Sequence, residues 1–226
     1  MKRPLLSLAF AAVLALAIVI TLAVAPRDEP APAATVPPAA PAPSVKQLTA
    51  VSKAAGIPRR ALSAYVAAAR TLAREEPSCR IAWNTLAGIG SVESSHGSFA
   101  GAKLDAGGVA SPRILGVALD GTGGNRAIAD TDGGALDGDR RWDRAVGPLQ
   151  FIPTTWAVYG ADGDGDGKVD PHDIDDAALA AGRYLCRAGG DLSGSRGWSE
   201  AVLTYNRSGP YARKVSRIAG RYAEAT

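Results

Sequence analysis

The first 44 residues constrain the fold most, because they carry no pattern from which a globular core can form. Residues 5–25 contain no charged side chain, and residues 26–44 are mostly Pro and Ala. A segment rich in Pro and Ala is a stiff spacer without a core of its own. We therefore expect a linker at residues 26–44 and one folded domain at residues 45–226, a length that suits a single domain.

The uncharged run also predicts export from the cytoplasm. It is longer than the ~7 to 15 residues of a cleaved signal core and reaches the ~20 residues that span a bilayer. We favour an uncleaved membrane anchor at residues 1–25, with Lys2 and Arg3 on the cytoplasmic side. The small residues Ala23-Val-Ala25 leave a cleaved signal peptide open. Either way, the domain is expected outside the cytoplasm, on the membrane or secreted.

Cys79 and Cys186 are the two cysteines of the chain. In an oxidising compartment such a pair predicts a disulfide, and two buried thiols are the alternative. A bond between them would close a loop of about a hundred residues and contribute about 4 to 5 kcal/mol in the chain-entropy model.

The rest of the sequence favours helices. Periodicity and turn residues predict them at about residues 45–56, 58–76, 80–93, from 153 onward, 174–187, 199–206 and 210–223. No segment alternates convincingly with the period of a strand. Residues 98–146, here called the excursion, are rich in Gly and Asp and show no sustained period. The pattern predicts an all-α domain with one long excursion, and a loop of that length is usually functional.

Glu93 is the one carboxylate of the predicted helix at residues 80–93. It extends an apolar stripe of that helix by one turn; the stripe comprises Ala82, Leu86, Ile89 and Gly90. Burial and the negative end of the helix dipole both raise the pKa of a carboxyl group, as a general acid requires. The alternative is a surface residue on a frayed last turn.

Residues 162–173 match the spacing of a twelve-residue calcium loop. The predicted ligands are the side chains of Asp162, Asp164, Asp166, Asp170 and Asp173 and the main-chain carbonyl of Lys168. Position 12 is Asp173 rather than Glu, which weakens the prediction of bidentate closure and of high affinity. We expect a structural calcium ion here and no organic cofactor; a solvated acidic turn is the alternative.

Three motifs together resemble those of a known family. Glu93-Ser-Ser-His-Gly97, Gly147-Pro-Leu-Gln150 and Thr204-Tyr-Asn-Arg-Ser-Gly209 are similar to the successive signatures of lytic murein transglycosylases of the lysozyme superfamily. The acidic loop after Trp156 is similar to the membrane-bound lytic transglycosylase B branch, particularly its actinobacterial members. The resemblance covers about residues 50–222 and implies a lysozyme-like helical fold.

The resemblance also implies a substrate and a mechanism. Glu93 would protonate the glycosidic oxygen between N-acetylmuramic acid and N-acetylglucosamine in peptidoglycan. It would then take a proton from the muramoyl C6 hydroxyl, which closes a 1,6-anhydro ring. Ser94 and Gln150 would line the cleft and hydrogen-bond the sugar or Glu93, while Tyr205 and Asn206 would orient the acid and the substrate.

Two other functions stay open. A lysozyme-like hydrolase ordinarily needs a second carboxylate, and the excursion could supply one from Asp105, Asp120, Asp130, Asp132, Asp137, Asp139 or Asp143. The other alternative is a calcium-stabilised module that binds the cell wall without cleaving it.

The remaining expectations concern single residues and partners. The excursion is expected to form one wall of the cleft, with Trp142 as a packing residue or a sugar platform. His96 and His172 lack a second His or Cys at ligand spacing, so surface or capping roles are expected. A net charge of +3 without clustered Lys or Arg argues against nucleic acid. We expect a monomer.

Overall fold

The structure, a computed structural model, describes residues 34–226. The predicted anchor at residues 1–25 and the first part of the predicted linker lie outside the described residues. Within the described range, no helix combines the length and the apolar character that crossing a bilayer requires.

The described domain contains seven α-helices, and each overlaps a predicted helical segment. They are α1 (Leu48–Ala55), α2 (Arg59–Glu75), α3 (Trp83–Ser94), α4 (Pro153–Tyr159), α5 (Ile174–Gly189), α6 (Ser195–Tyr205) and α7 (Gly209–Ala223). The prediction of a helix-rich domain is confirmed.

The all-α prediction is wrong within the excursion, where four short strands form two antiparallel ribbons. Strand β1 (Lys103–Leu104) pairs with β2 (Ala110–Ser111), and β3 (Leu115–Ala118) pairs with β4 (Arg144–Val146). None of these strands is longer than four residues, which is too short for the alternation of a strand to stand out in a sequence.

Aspartate side chains satisfy the main chain through much of the excursion. The Asp130 carboxylate accepts hydrogen bonds from three successive backbone N–H groups at residues 132–134. The Asp139 carboxylate accepts two more, from Arg141 and Trp142. Because local bonds of this kind replace helix and sheet ladders, the excursion is rich in Asp and Gly and lacks a period.

Helix α3 lies at the centre of the helical core. Gly88 faces α7, where an added Cβ atom would lie 3.2 Å from the Cβ atom of Ala219. Gly90 faces α2, where it would lie 2.1 Å from the hydroxyl oxygen of Tyr65. The missing side chain at Gly90 thus leaves the space that the end of the Tyr65 side chain occupies between α2 and α3.

The two cysteines form a disulfide. Cys79 and Cys186 have Cα atoms 5.3 Å apart, and both residues are buried. The bond ties the chain just before α3 to the last turn of α5, which brings together two elements that flank the site described below.

Residues 34–43, which we call the N-terminal strap, lie against the helices instead of extending as a free spacer. Their backbone carbonyl oxygens accept hydrogen bonds from side chains of four helices: Ala34 from Ser199, Thr35 from Ser216, Pro38 from Asn84, Pro41 from Trp83 and Pro43 from Arg70. An extended, proline-rich backbone leaves its carbonyl groups free for such donors. The prediction that the folded unit starts at residue 45 is therefore corrected to include the strap.

Asn84 is the central contact of the strap. Its side chain is fully buried. The amide nitrogen donates to the carbonyl oxygens of Pro38 at 2.9 Å and Ala219 at 3.0 Å, and the amide oxygen accepts from the Ala40 N–H at 3.2 Å. One side chain of α3 thus holds both the strap and α7.

We predict that Asn84→Ala lowers the free energy of unfolding by at least about 1 to 3 kcal/mol, the cost of leaving one buried polar group unsatisfied. Urea unfolding followed by circular dichroism measures the change. Asn125→Ala, the same change at an exposed position of the excursion, should alter stability by less than about 0.5 kcal/mol. Equal stability of Asn84→Ala and the parent would contradict the role given to the strap.

Candidate active site

Glu93 lies on the last turn of α3, close to the N-terminal end of α7. Its side chain is partly buried. The hydroxyl of Tyr211, a residue in the first turn of α7, donates a hydrogen bond to Oε1 of Glu93 at 2.5 Å. The sequence motifs did not single out Tyr211. Helical spacing could have placed it on the buried face of α7, which it shares with Val215, Ile218 and Tyr222.

Burial raises the pKa of Glu93 to about 7. The Tyr211 hydrogen bond and the positive charge of Lys214 both act in the opposite direction, since each stabilises the ionised carboxylate. The net effect leaves Glu93 protonated in a large fraction of molecules at neutral pH. The expected raised pKa of this carboxyl group is therefore present in the structure, and burial is its first cause.

Tyr205 forms the other aromatic neighbour of Glu93. Burial, followed by the negative charge of Glu93, raises the pKa of Tyr205 well above its ordinary value, so its hydroxyl stays protonated. That hydroxyl donates to the carbonyl oxygen of Leu149 at 2.6 Å. Tyr205 therefore fixes the segment before Gln150 and does not hydrogen-bond Glu93 itself.

Ser94 does not lie where the resemblance implied. It is buried, its hydroxyl donates to the Pro148 carbonyl at 2.6 Å, and the same oxygen accepts from the Gly97 N–H at 2.8 Å. With both bonds inside the protein, Ser94 is a positioning residue that ties the end of α3 to the segment at residues 147–150.

A cavity of about 650 Å³ adjoins this site. Three parts of the chain line it: Leu119, Arg126 and Ile128 of the excursion; Gln150, Phe151, Ile152, Thr154 and Thr155; and Tyr184 together with residues 204–207. Gln150, Tyr205 and Asn206, three of the predicted substrate contacts, therefore meet in one cavity. Glu93 is not a lining residue, but its neighbour Tyr205, whose pKa is raised by burial and then by the charge of Glu93, is one.

Gln150 occupies a tightly specified turn. Its backbone is left-handed, with φ of 51°, and its side-chain amide donates to the Gly147 carbonyl at 2.9 Å. An added Cβ atom at Gly147, where φ is 74°, would lie 1.7 Å from the carbonyl oxygen of Pro171. Only glycine can stand at that position, so the turn that presents Gln150 rests directly on the end of the acidic loop.

No aspartate of the excursion lines the cavity within the described residues. All seven accept a hydrogen bond from a backbone N–H within twelve residues of them along the chain. The described lining of the cavity therefore contains no carboxylate.

The acidic loop brings most of its predicted ligands together. Single carboxylate oxygens of Asp162, Asp164 and Asp166 lie within 4.8 Å of one another, and those of Asp164, Asp173 and Asp175 do the same. Asp170 belongs to neither group; one of its oxygens accepts from the His172 N–H at 2.9 Å. The Lys168 side chain pairs with Asp166 at 3.1 Å.

The expected surface or capping roles of both histidines are wrong. His96 is buried and lies between two tyrosines, with Nδ1 3.2 Å from the Tyr65 hydroxyl and Nε2 2.9 Å from the Tyr222 hydroxyl. Burial lowers the pKa of His96 to about 4, so the neutral ring joins α2 and α7 behind α3. His172 is also buried.

Trp142 does not serve as a platform in the cavity. It is partly buried and absent from the lining, and the guanidinium of Arg141 lies 5.8 Å from its ring centroid. Two other aromatic rings line the cavity beside Tyr205: Tyr184, with ring centroids 5.7 Å apart, and Phe151, with ring centroids 6.0 Å apart.

One family model matches part of the chain. Residues 137–199 match the family model of the transglycosylase SLT domain. The matched region covers less than a third of the chain and agrees with the resemblance that the three motifs carry. The match includes Gln150 and the acidic loop, whereas Glu93 and Tyr205 lie outside it. No curated protein sequence matches the chain significantly.

Solved structures of lytic transglycosylases are similar at low identity. SltB3 from Pseudomonas aeruginosa, in complex with NAG-anhNAM-pentapeptide, is 18% identical with a TM-score of 0.42, and the similarity covers 75% of this chain and 64% of SltB3. Escherichia coli Slt35, in complex with bulgecin A, is 15% identical with a TM-score of 0.44, covering 82% and 80%. SltB1 from P. aeruginosa is 20% identical with a TM-score of 0.43, covering 82% and 86%. This chain thus spans slightly less than two thirds of SltB3.

We predict that the Glu93 carboxyl titrates with a midpoint near pH 7, measured by NMR of carbon-13-labelled glutamate. Because the folded chain holds this proton more tightly than the unfolded chain, the corresponding stabilisation is lost as the pH rises through about 7. Tyr211→Phe removes a bond that lowers the pKa and should move the midpoint to higher pH. Tyr222→Phe, on the same helix but bonded to His96, should leave it unchanged; a shift in Tyr222→Phe alone would refute the assignment.

Proposed function

We propose that this protein cleaves the β-1,4 bond between N-acetylmuramic acid and N-acetylglucosamine in peptidoglycan and forms 1,6-anhydro-muramoyl ends. The observation that carries the proposal is Glu93, a shielded carboxyl group with a pKa of about 7, next to Tyr205 of a cavity whose described lining contains no carboxylate. A general acid works best when its pKa is close to the working pH. The match to the transglycosylase SLT domain supports the same substrate class.

Glu93 performs both proton transfers in this proposal. Tyr211 holds Oε1, which leaves Oε2 to deliver the proton to the glycosidic oxygen. The carboxylate that results then takes the proton of the muramoyl C6 hydroxyl as its oxygen attacks C1 and closes the anhydro ring. Because the nucleophile comes from the substrate, the reaction needs neither water nor a second carboxylate, in contrast to ordinary glycoside hydrolysis.

The cavity supplies the groups that orient the glycan. Gln150 and Asn206 offer side-chain amides, and the Tyr184 ring offers an apolar face of the kind on which sugars pack. Ser94 and Tyr205 position the segment before Gln150, because their hydroxyls donate hydrogen bonds to the carbonyl oxygens of Pro148 and Leu149. The protein works in this scheme as a monomer outside the cytoplasm, anchored through residues 1–25 or released by cleavage after them.

We also propose that the acidic loop holds a structural calcium ion. The donor set fits a hard cation, because it consists of carboxylate oxygens that converge on Asp164 from two sides. Asp162, Asp164, Asp166 and Asp173 would bind through their side chains and Lys168 through its carbonyl, while Asp170, outside both clusters, would bind through water. The ion would neutralise these carboxylates and stabilise the loop on which Gly147 rests.

We predict that Glu93→Gln reduces the release of soluble muropeptides from purified peptidoglycan by at least about a hundredfold, the usual contribution of general acid–base catalysis. Mass spectrometry of the wild-type products should show anhydro ends. Glu200→Gln, the same change at an exposed position of α6, should keep full activity. Reducing muramic ends would replace this mechanism with hydrolysis, and binding of the wall without any release would indicate a binding module.

Calcium removal provides a separate test of the acidic loop. A chelator should lower the melting temperature of the wild type, and added calcium should restore it, since a ligand at a hundred times its Kd stabilises a fold by about 2.7 kcal/mol. Asp162→Asn combined with Asp164→Asn should abolish the calcium response, whereas Asp105→Asn, outside the loop, should retain it. A melting temperature that does not respond to calcium in the wild type would exclude the ion.

A further inference from the structure

Two arginines give the cavity a charge that cleavage of a neutral sugar chain does not require. Arg126 belongs to the excursion, and Arg207 follows the C-terminal end of α6. Both side chains are exposed, and both line the cavity. The cavity lining therefore includes two guanidinium groups, which come from different segments of the chain.

The charge of these arginines is not cancelled by neighbours. None of the described residues that line the cavity is acidic. Arg126 and Arg207 also form no salt bridge with any residue between 34 and 226, whereas Arg60, Arg80, Arg144 and Arg183 are each paired with a carboxylate. The excess positive charge in the cavity is available to an anionic ligand.

Peptidoglycan carries anionic groups at positions that a groove of this kind would meet. The sugar rings and acetamido groups are neutral. Each muramoyl residue bears a lactyl group, which ends either in a free carboxylate or in an amide bond to a peptide that has carboxylates of its own. Guanidinium is the side chain best suited to bind a carboxylate, because its donors match both oxygens.

We propose that Arg126 and Arg207 bind carboxylates on the muramoyl side chains, so that the cavity selects anionic strands over neutral ones. This inference rests on the proposed function, because it takes peptidoglycan as the substrate. It adds that the bound strand is recognised through its negative charge. The carboxylate has two possible sources, the stem peptide and the bare lactyl group. An exposed ion pair contributes up to about 1 kcal/mol, or about fivefold in affinity, so the two arginines together are expected to contribute about tenfold.

Binding to the inactive Glu93→Gln protein separates this inference from catalysis. The probes are fluorescently labelled oligosaccharides of equal length: strands with stem peptides, strands stripped to the lactyl carboxylate, and a neutral N-acetylglucosamine oligomer. We expect at least one anionic probe to bind about tenfold tighter than the neutral one at low salt, with the difference shrinking in high salt. Comparison of the two anionic probes identifies the source of the carboxylate.

Arginine variants in the same background complete the test. Arg126→Ala combined with Arg207→Ala should remove the preference and leave the affinity for the neutral probe unchanged. The matched controls are Arg140→Ala and Arg217→Ala, which change exposed arginines outside the cavity lining and should keep the preference. A parent without the preference, or a double variant that retains it, would overturn the inference. A wild-type protein that does not cleave peptidoglycan would instead count against the proposed function.

Discussion

The close packing of α3 against its neighbours is the constraint on which the candidate site depends. Gly90 lets α3 approach the Tyr65 hydroxyl of α2, and Gly88 lets it approach Ala219 of α7. This contact brings the end of α3 to the start of α7, where Glu93 meets Tyr211. A side chain at Gly90 would overlap the Tyr65 hydroxyl, so the Tyr65 ring would have to move and its hydrogen bond to His96 would be disturbed.

Much of this architecture follows from local sequence signals. The positions of all seven described helices, the cysteine pair and the carboxylate at the end of α3 could be predicted because apolar periodicity, turn residues and compartment act over short stretches of chain. The meeting of Gln150, Tyr205 and Asn206 in one cavity could be expected only through the resemblance to a family. Their spacing along the chain does not bring them together without a fold.

The features that the sequence did not predict depend on contacts between distant segments. The N-terminal strap consists of Pro and Ala, which predict a spacer, yet donors from α2, α3, α6 and α7 reach its carbonyl groups. Ser94 and Tyr205 carry hydroxyl groups suited to a substrate, but backbone carbonyls of residues 148 and 149 take their hydrogen bonds. Tyr211 reads as one more aromatic residue on a buried face, and only the tertiary fold gives its hydroxyl a carboxylate partner.

The opposing influences on Glu93 explain why a buried acid is paired with a hydrogen-bond donor at all. Burial alone would move the pKa further upward and leave a carboxyl group that holds its proton too tightly to be an effective donor in the proposed first step. The Tyr211 hydroxyl and the charge of Lys214 lower the pKa again, and the result of about 7 lies where one group can give and take a proton with similar ease. A reaction that uses one carboxyl group as acid and then as base needs such a balance, whereas a pair of carboxylates could divide the two roles between different environments.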